Sequence, residues 1–165
     1  MEQMSKEKEI RGMLDAVGFA VLATQRDGQP HTSLVAITPV DGVRKLLFAT
    51  YRSTRKYHSL SLDGRVSLFL LDPTAGAFEA QRTVLSAHGL AAEAPVDRRT
   101  ALASLHAARH PFLCELLRSE DTALICVDVA AYQLVRGIDD ACWYDLSNRS
   151  TGGSPPAQTT SPLGA

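Results

Sequence analysis

Arg52, Ser53, Thr54, Arg55 and Lys56 put three cations and two hydroxyls into five consecutive residues, just after the apolar run 46–49 and just before a segment that continues to Asp63-Gly64. Ser53 or Thr54 is a natural N-cap, so the basic residues fall in or beside the first turn of a helix. That end of a helix carries about half a positive charge and unpaired amides, and a cation there costs roughly 0.3–1 kcal/mol. An anion reverses the penalty, because hydroxyls, free amides and basic side chains converging on one spot make a cradle for phosphate. The alternative is a solvated basic helix face.

The other reactive side chains carry weaker patterns. Of the five histidines, His58 lies nearest the cradle, on the same helix. His31 opens a strand and is expected to face solvent. His88, His106 and His110 have no fixed ligand spacing such as H-E-x-x-H, so no metal site is expected. Cys114, Cys126 and Cys142 are widely spaced in apolar segments; they suggest neither a disulfide framework nor a zinc motif and read as inert core thiols. Trp143 and Tyr144 either wall a groove for a flat heterocycle or pack in a core or subunit interface.

The elements that hold the cradle follow from periodicity. Ile10, Met13, Leu14 and Val17 recur at helical spacing, predicting a helix over 6–17 with Ser5 as its cap. Strands are expected at 19–24, 31–38 and 45–49, joined by turns at Asp27-Gly28 and Asp41-Gly42 into a three-stranded meander. Further strands are expected at 65–71 and 83–91, with a bulge at Gly89 and a loop at 72–79 between them. Asp97 should cap a helix burying Leu102 and Leu105, and His110-Pro111 should break it before a second helical piece, making an insertion over 97–118. Strands at 123–129, 131–135 and 141–146 complete the set. The predicted fold is mainly β with flanking helices: six or seven antiparallel strands in a small split barrel, which also protects their edges.

At 165 residues the chain is expected to form one domain over 1–146, large enough to bury roughly two thirds of its unfolded surface. The Ser, Thr, Gly and Pro-rich stretch 147–165 is expected to be a disordered tail. A net charge of −1 speaks against general binding to nucleic acid or membrane surfaces. With no apolar leader at the N-terminus and no long apolar run, the expected location is the cytoplasm.

Four segments, in this order and spacing, resemble the FMN-binding split-barrel superfamily, the pyridoxamine 5'-phosphate oxidase-like proteins. They are 19–24, 28–36, 48–50 with 53–56, and 65–68, so the likeness spans about residues 10 to 95. The resemblance implies a homodimer with FMN in the groove between two barrels, and a small-molecule electron donor such as NAD(P)H. It implies phosphate contacts from Thr54, Arg55 and Lys56, and a place near the flavin for Thr50. Ser33, Leu34, Val35 and Ala36 match the second-strand segment along the flavin ring. Gln81 and Arg82 match a polar pair at the start of the fifth strand.

Two departures separate the chain from the true oxidases. Ser33 stands where their second strand supplies another basic phosphate ligand, and their C-terminal Arg- and His-containing motif has no counterpart around 139–146. Pyridoxamine phosphate is therefore not the expected substrate. The expected activity is flavin-mediated hydride or electron transfer to a small molecule or oxygen, with no catalytic side chain assigned. Segments 110–113 and 131–137 look like a subgroup of flavin-binding proteins that also borders on the haem-utilisation proteins of the same fold. A haem-binding protein is thus the rival reading, beside a non-catalytic flavin sensor and a deazaflavin-dependent variant.

Overall fold

A computed structural model describes residues 1–71, 83–137 and 140–146. Its elements run α1 (Glu2–Ala16), β1 (Phe19–Arg26), β2 (Gln29–Ala36), β3 (Thr38–Val40), β4 (Lys45–Tyr51), α2 (Arg55–Leu62) and β5 (Arg65–Leu71). There follow β6 (Thr83–Glu93), α3 (Arg99–Arg109), α4 (Cys114–Arg118), β7 (Thr122–Arg136) and β8 (Asp140–Asp145). The expected loop at 72–79, the polar pair Gln81 and Arg82, and the tail from 147 lie outside the described residues.

All strand pairings are antiparallel, in the order β2-β1-β5-β6-β7-β4-β3, with β8 added to β7. The two ends of that order, β2 and β3, are separated in sequence by Ile37 alone. The sheet must therefore curl until its ends meet, which gives the split barrel. On its inner face Leu22, Leu68, Leu70, Leu85, Phe48 and Tyr132 are fully buried. Ile10, Met13, Leu14 and Val17 of the α1 region join the same core, as their spacing predicts.

Both expected turns form, but the meander is broken at Ile37. β1 and β2 make a hairpin through Asp27 (φ 53°) and Gly28 (φ 78°), and β3 and β4 make another through Asp41 (φ 53°) and Gly42 (φ 74°); β4 does not pair with β2 and takes β7 on its other edge, from Lys45↔Asp128 to Tyr51↔Thr122. Burial explains the choice. Leu46, Leu47 and Phe48 are apolar on both faces and need an interior position, whereas β2 exposes Thr32 and Leu34 and suits an edge.

Other boundaries shift for local reasons. The helix predicted from residue 6 already starts at Glu2, with Ser5 inside it, because the polar residues before Ile10 are good helix formers and Lys6 pairs with Glu2 at 2.9 Å. The strands expected at 123–129 and 131–135 are one 15-residue strand, whose far edge is shared end to end by β4 and β8. Asp97 sits in a 3₁₀ turn and makes no capping bond; Leu102 is buried but Leu105 is 45% exposed. Cys114 is exposed and so is not the core thiol expected, while Cys126 and Cys142 are half-buried and pack against the hydrophobic core.

The bulge at Gly89 is where it was expected, as a register shift between His88 and Gly89 opposite β7. A Cβ there would lie 2.2 Å from the Asp128 carbonyl oxygen, closer than any side chain tolerates. The insertion folds over one part of the sheet's outer face. Leu102 packs with Val40, Leu47, Ala94 and Leu124, covering the β4–β7 half, while on the β2-β1-β5 half Phe112 stacks on Phe19 and the described residues leave Val21, Leu34 and Phe69 exposed.

Candidate functional site

Thr54 starts α2 as its N-cap, its hydroxyl oxygen accepting from the Tyr57 amide at 3.4 Å. The same hydroxyl donates to the Tyr51 carbonyl at 2.8 Å, so the 2.9 Å contact with Thr50 is a bond donated by Thr50. Thr50, only 4% exposed at the end of β4, thus fixes the cap from below. Both threonines spend their hydroxyls on the chain: they hold the helix start in place and present its free amides, those of Arg55 and Lys56.

The cations divide into two groups. Arg52 turns away from the helix start, donating to the carbonyls of Glu120 and Thr122 at 3.0 Å each and pairing with Glu93. That carboxylate also receives the Tyr57 hydroxyl at 3.1 Å and faces Arg99 at 3.7 Å. Arg52 is therefore a brace between α2 and the β6–β7 region and not part of the cradle, contrary to its expected place. Arg55 and Lys56 have no ion-pair partner among the described residues. Asp121 does approach the helix start, but it receives the Ser53 hydroxyl at 3.0 Å.

Arg55 and Lys56 line a cleft of about 140 Å³ together with Thr24, His31, Thr32 and Ser33. This joins the helix start to β2, and of the second-strand residues expected along the flavin ring Ser33 reaches it, beside His31 and Thr32. A wider, more open cleft of about 580 Å³ continues past Arg55 to Ser53, His58, Arg26, Asp27 and Gln29. His58 therefore borders the outer cleft on the exposed side of α2. The largest group of opposite charges elsewhere lines a cleft of about 370 Å³ between α1, the β3–β4 turn and α3; it mixes Arg11 and Arg109 with Asp15 and Asp41 and so offers no single-sign cradle.

The remaining second-strand residues point elsewhere. Val35 is buried in the core, while Leu34 is 67% exposed and Ala36 half-buried on the opposite face of the sheet. What these residues share with Ser33 is their backbone. The two-residue turn makes Arg26↔Gln29 a hydrogen-bonded pair, and alternation along the strands then directs the amides and carbonyls of Thr32, Leu34 and Ala36 to the free edge of β2. Pro30, which has no amide to offer, falls on that same outward register.

His31 was missed by sequence reasoning. It does not face solvent: its Nε2 is buried, has no hydrogen-bond partner, and borders the Arg55–Lys56 cleft. The available signal was its period-two spacing from Ser33, which puts both side chains on one face of β2. Trp143 is 55% exposed and packs on His88, ring centroids 5.3 Å apart, on the bare outer face; Tyr144 is buried and donates to Glu7 at 2.6 Å.

His106 and His110 form a pair between α3 and the β2–β3 bend. The His106 Nδ1 lies 2.8 Å from the Thr38 hydroxyl, and the His110 Nε2 lies 2.8 Å from the Ile37 carbonyl. Burial, with help from the neighbouring His110 and Arg109, pushes the His106 imidazole down to about 4. Among the described residues, no group of three or more His, Cys, Asp or Glu could hold a metal ion, and no helix is long and apolar enough to cross a membrane.

Solved structures share this fold. The heme binding protein from Mycobacterium smegmatis superposes with a TM-score of 0.77 at 18% identity, over 84% of this chain and 57% of its own. General Stress Protein 26 from Bacillus anthracis gives 0.68 at 17% identity, over 87% of this chain and 100% of its own. HutZ, the heme storage protein from Vibrio cholerae, gives 0.62 at 18% identity, over 78% and 91%. No curated protein sequence matches. The family profile described as pyridoxamine 5'-phosphate oxidase matches residues 7–136, which span the barrel and its helical insertion, and the chain belongs to that family.

Proposed function

We propose that the chain is an FMN-binding oxidoreductase whose flavin phosphate is held at the start of α2. One observation carries this reading: Arg55 and Lys56, the two cations of the first helical turn, have no carboxylate partner among the described residues and line a cleft that β2 completes through His31, Thr32 and Ser33. The donor set fits a phosphate monoester, with two side-chain cations, two helix-terminal amides and the Ser33 hydroxyl. It fits the flat end of a flavin as well, because the free edge of β2 offers the Thr32, Leu34 and Ala36 backbone groups to a planar heterocycle. Gln81 and Arg82 remain proposed contacts, on the resemblance alone.

Bound FMN would supply two-electron chemistry, exchanging hydride between a reduced nicotinamide and a small-molecule acceptor or oxygen. The chain's own task is to bind and orient. Arg55 and Lys56 fix the charged end, Thr54 and Thr50 fix Arg55 and Lys56, and β2 sets the plane of the ring. A homodimer belongs to the same reading, supported by the bare apolar outer face on which Val21, Leu34 and Phe69 lie side by side in register.

Haem is the second reading, favoured by the haem-binding and haem-storage neighbours of the same fold. The test is to purify the protein, record its visible spectrum, and identify the small molecule released on denaturation. A flavin spectrum and the mass of FMN are the expected result. A Soret band would replace the flavin reading with haem, and the mass of a deazaflavin would change the cofactor while keeping the reaction class.

A further inference from the structure

We propose that Glu93 is a positioning residue for the anion cleft: its carboxylate fixes the first turn of α2 against the sheet and so sets where Arg55 and Lys56 meet a phosphate. This goes beyond the reading of the cleft as a phosphate site and rests on it. α2 has eight residues, about two turns, and a helix that short takes its direction from its attachments. Ser59 and Leu60 bury its second half. Thr54 and Thr50 close its start onto the Tyr51 carbonyl, within the same stretch of chain. Neither attachment places the first turn relative to the sheet.

Glu93 does so from two sides. Tyr57, one residue after Lys56 and so about 100° round the helix from it, donates its hydroxyl to Glu93 Oε2 at 3.1 Å. Glu93 Oε1 takes the guanidinium of Arg52, which leads into the helix, and faces Arg99 of α3 at 3.7 Å. The carboxylate itself stands at the end of β6, in register with Ile125 of β7. One side chain thus joins the sheet, the helical insertion, and the cradle's helix on either side of its cap.

The carboxylate has two effects on an anion in the cleft, of opposite sign. Its charge repels the anion; its bonds to Arg52 and Tyr57 hold the donors in place. Arg52 neutralises the charge while also gripping the carbonyls of Glu120 and Thr122, so the positioning effect dominates. The side chains of Arg52, Glu93 and Arg99 are 32%, 35% and 38% exposed, and ion pairs that open to water add little to global stability. The consequence of losing Glu93 therefore falls on ligand affinity and not on folding.

Fluorescence titrations of FMN and riboflavin against wild type, Glu93→Ala, Glu93→Gln and Tyr57→Phe test the proposal, with the melting temperature of each variant. Glu93→Ala should weaken FMN binding about tenfold, the equivalent of one displaced phosphate contact, and leave riboflavin, which lacks the phosphate, within about twofold. Glu93→Gln keeps an oxygen for Tyr57 and Arg52 but drops the charge, and should return FMN affinity to within about threefold of wild type. Tyr57→Phe removes one bond and no charge; it should weaken FMN binding about threefold, and it carries the test if the alanine variant does not fold.

Glu93→Ala binding FMN as tightly as wild type, or more tightly, overturns the role, since the lost charge is then all that the cleft feels. A loss shared equally by riboflavin overturns it too, as damage to the fold. The phosphate reading survives either outcome if joint replacement of Arg55 and Lys56 by Ala still abolishes tight FMN binding. Failure of the wild-type protein to bind FMN removes both.

Discussion

A cation in the first turn of a helix opposes the helix's own field, and Arg55 and Lys56 do so together, with no acidic residue in that turn. Their cost in the empty protein and their value in the loaded one predict effects of opposite sign. Replacing both by Ala should weaken FMN binding by at least about a hundredfold, since each charge-assisted contact contributes roughly 1.5–3 kcal/mol. The same double variant without ligand should melt no lower than wild type, and unchanged flavin affinity by fluorescence titration would remove the cradle. His106 makes a prediction about pH. Its imidazole binds a proton at 6.5 in the unfolded chain but only at about 4 in the folded one, so between those values the unfolded chain holds more protons. Stability should therefore fall as pH drops from 6.5 towards 4, by up to about 3 kcal/mol from this group. Urea midpoints against pH should show that loss, and His106→Gln should flatten it.

Elements were legible where local chemistry decides and obscure where a distant partner does. The N-cap at Thr54, the turn at Asp27-Gly28 and the bulge at Gly89 each follow from a residue whose backbone or side chain permits little else. The partner of β4 does not, because nothing near Lys45–Tyr51 names β7, some 75 residues on; two-sided burial reveals the interior position but not the neighbour. The same limit explains Arg52, whose spacing matches a cradle residue while its geometry answers to Glu93 and to carbonyls of the β7 approach. At Gly89 the element makes a strong claim. Ala there would drive its Cβ against the Asp128 carbonyl, whose backbone cannot yield without breaking the β6–β7 ladder. Gly89→Ala should lower stability by about 2 kcal/mol or more, read from the denaturant midpoint at unchanged m-value, whereas Gly12→Ala, with open space around it, should be neutral or stabilising.

At the scale of the whole molecule, the sheet's outer face is divided between cover and exposure. Over β4 and the first half of β7, α3 supplies Leu102 against Leu47 and Leu124. Over β2, β1 and β5 the described residues leave Leu34, Val21 and Phe69 exposed, aligned across three strands at 67%, 38% and 41%, with Leu71 and the Phe112-stacked Phe19 beside them. Contiguous apolar surface of this kind marks an interaction site, and in the proposed homodimer a second copy of the chain would meet it with an identical face about a two-fold axis. The side chains of Val21 and Phe69 point away from the barrel interior, so charging them leaves the inner core of Leu22, Leu68 and Leu70 intact. Val21→Asp combined with Phe69→Asp should give a folded monomer by analytical ultracentrifugation, where the proposed homodimer predicts a dimer for wild type. Flavin affinity should fall when dimerisation is lost, because the cleft proposed between two barrels would lose one wall in the monomer. A double variant that still sediments as a dimer would exclude this face from the interface, and a monomer that binds FMN as tightly as wild type would place the whole site within one chain.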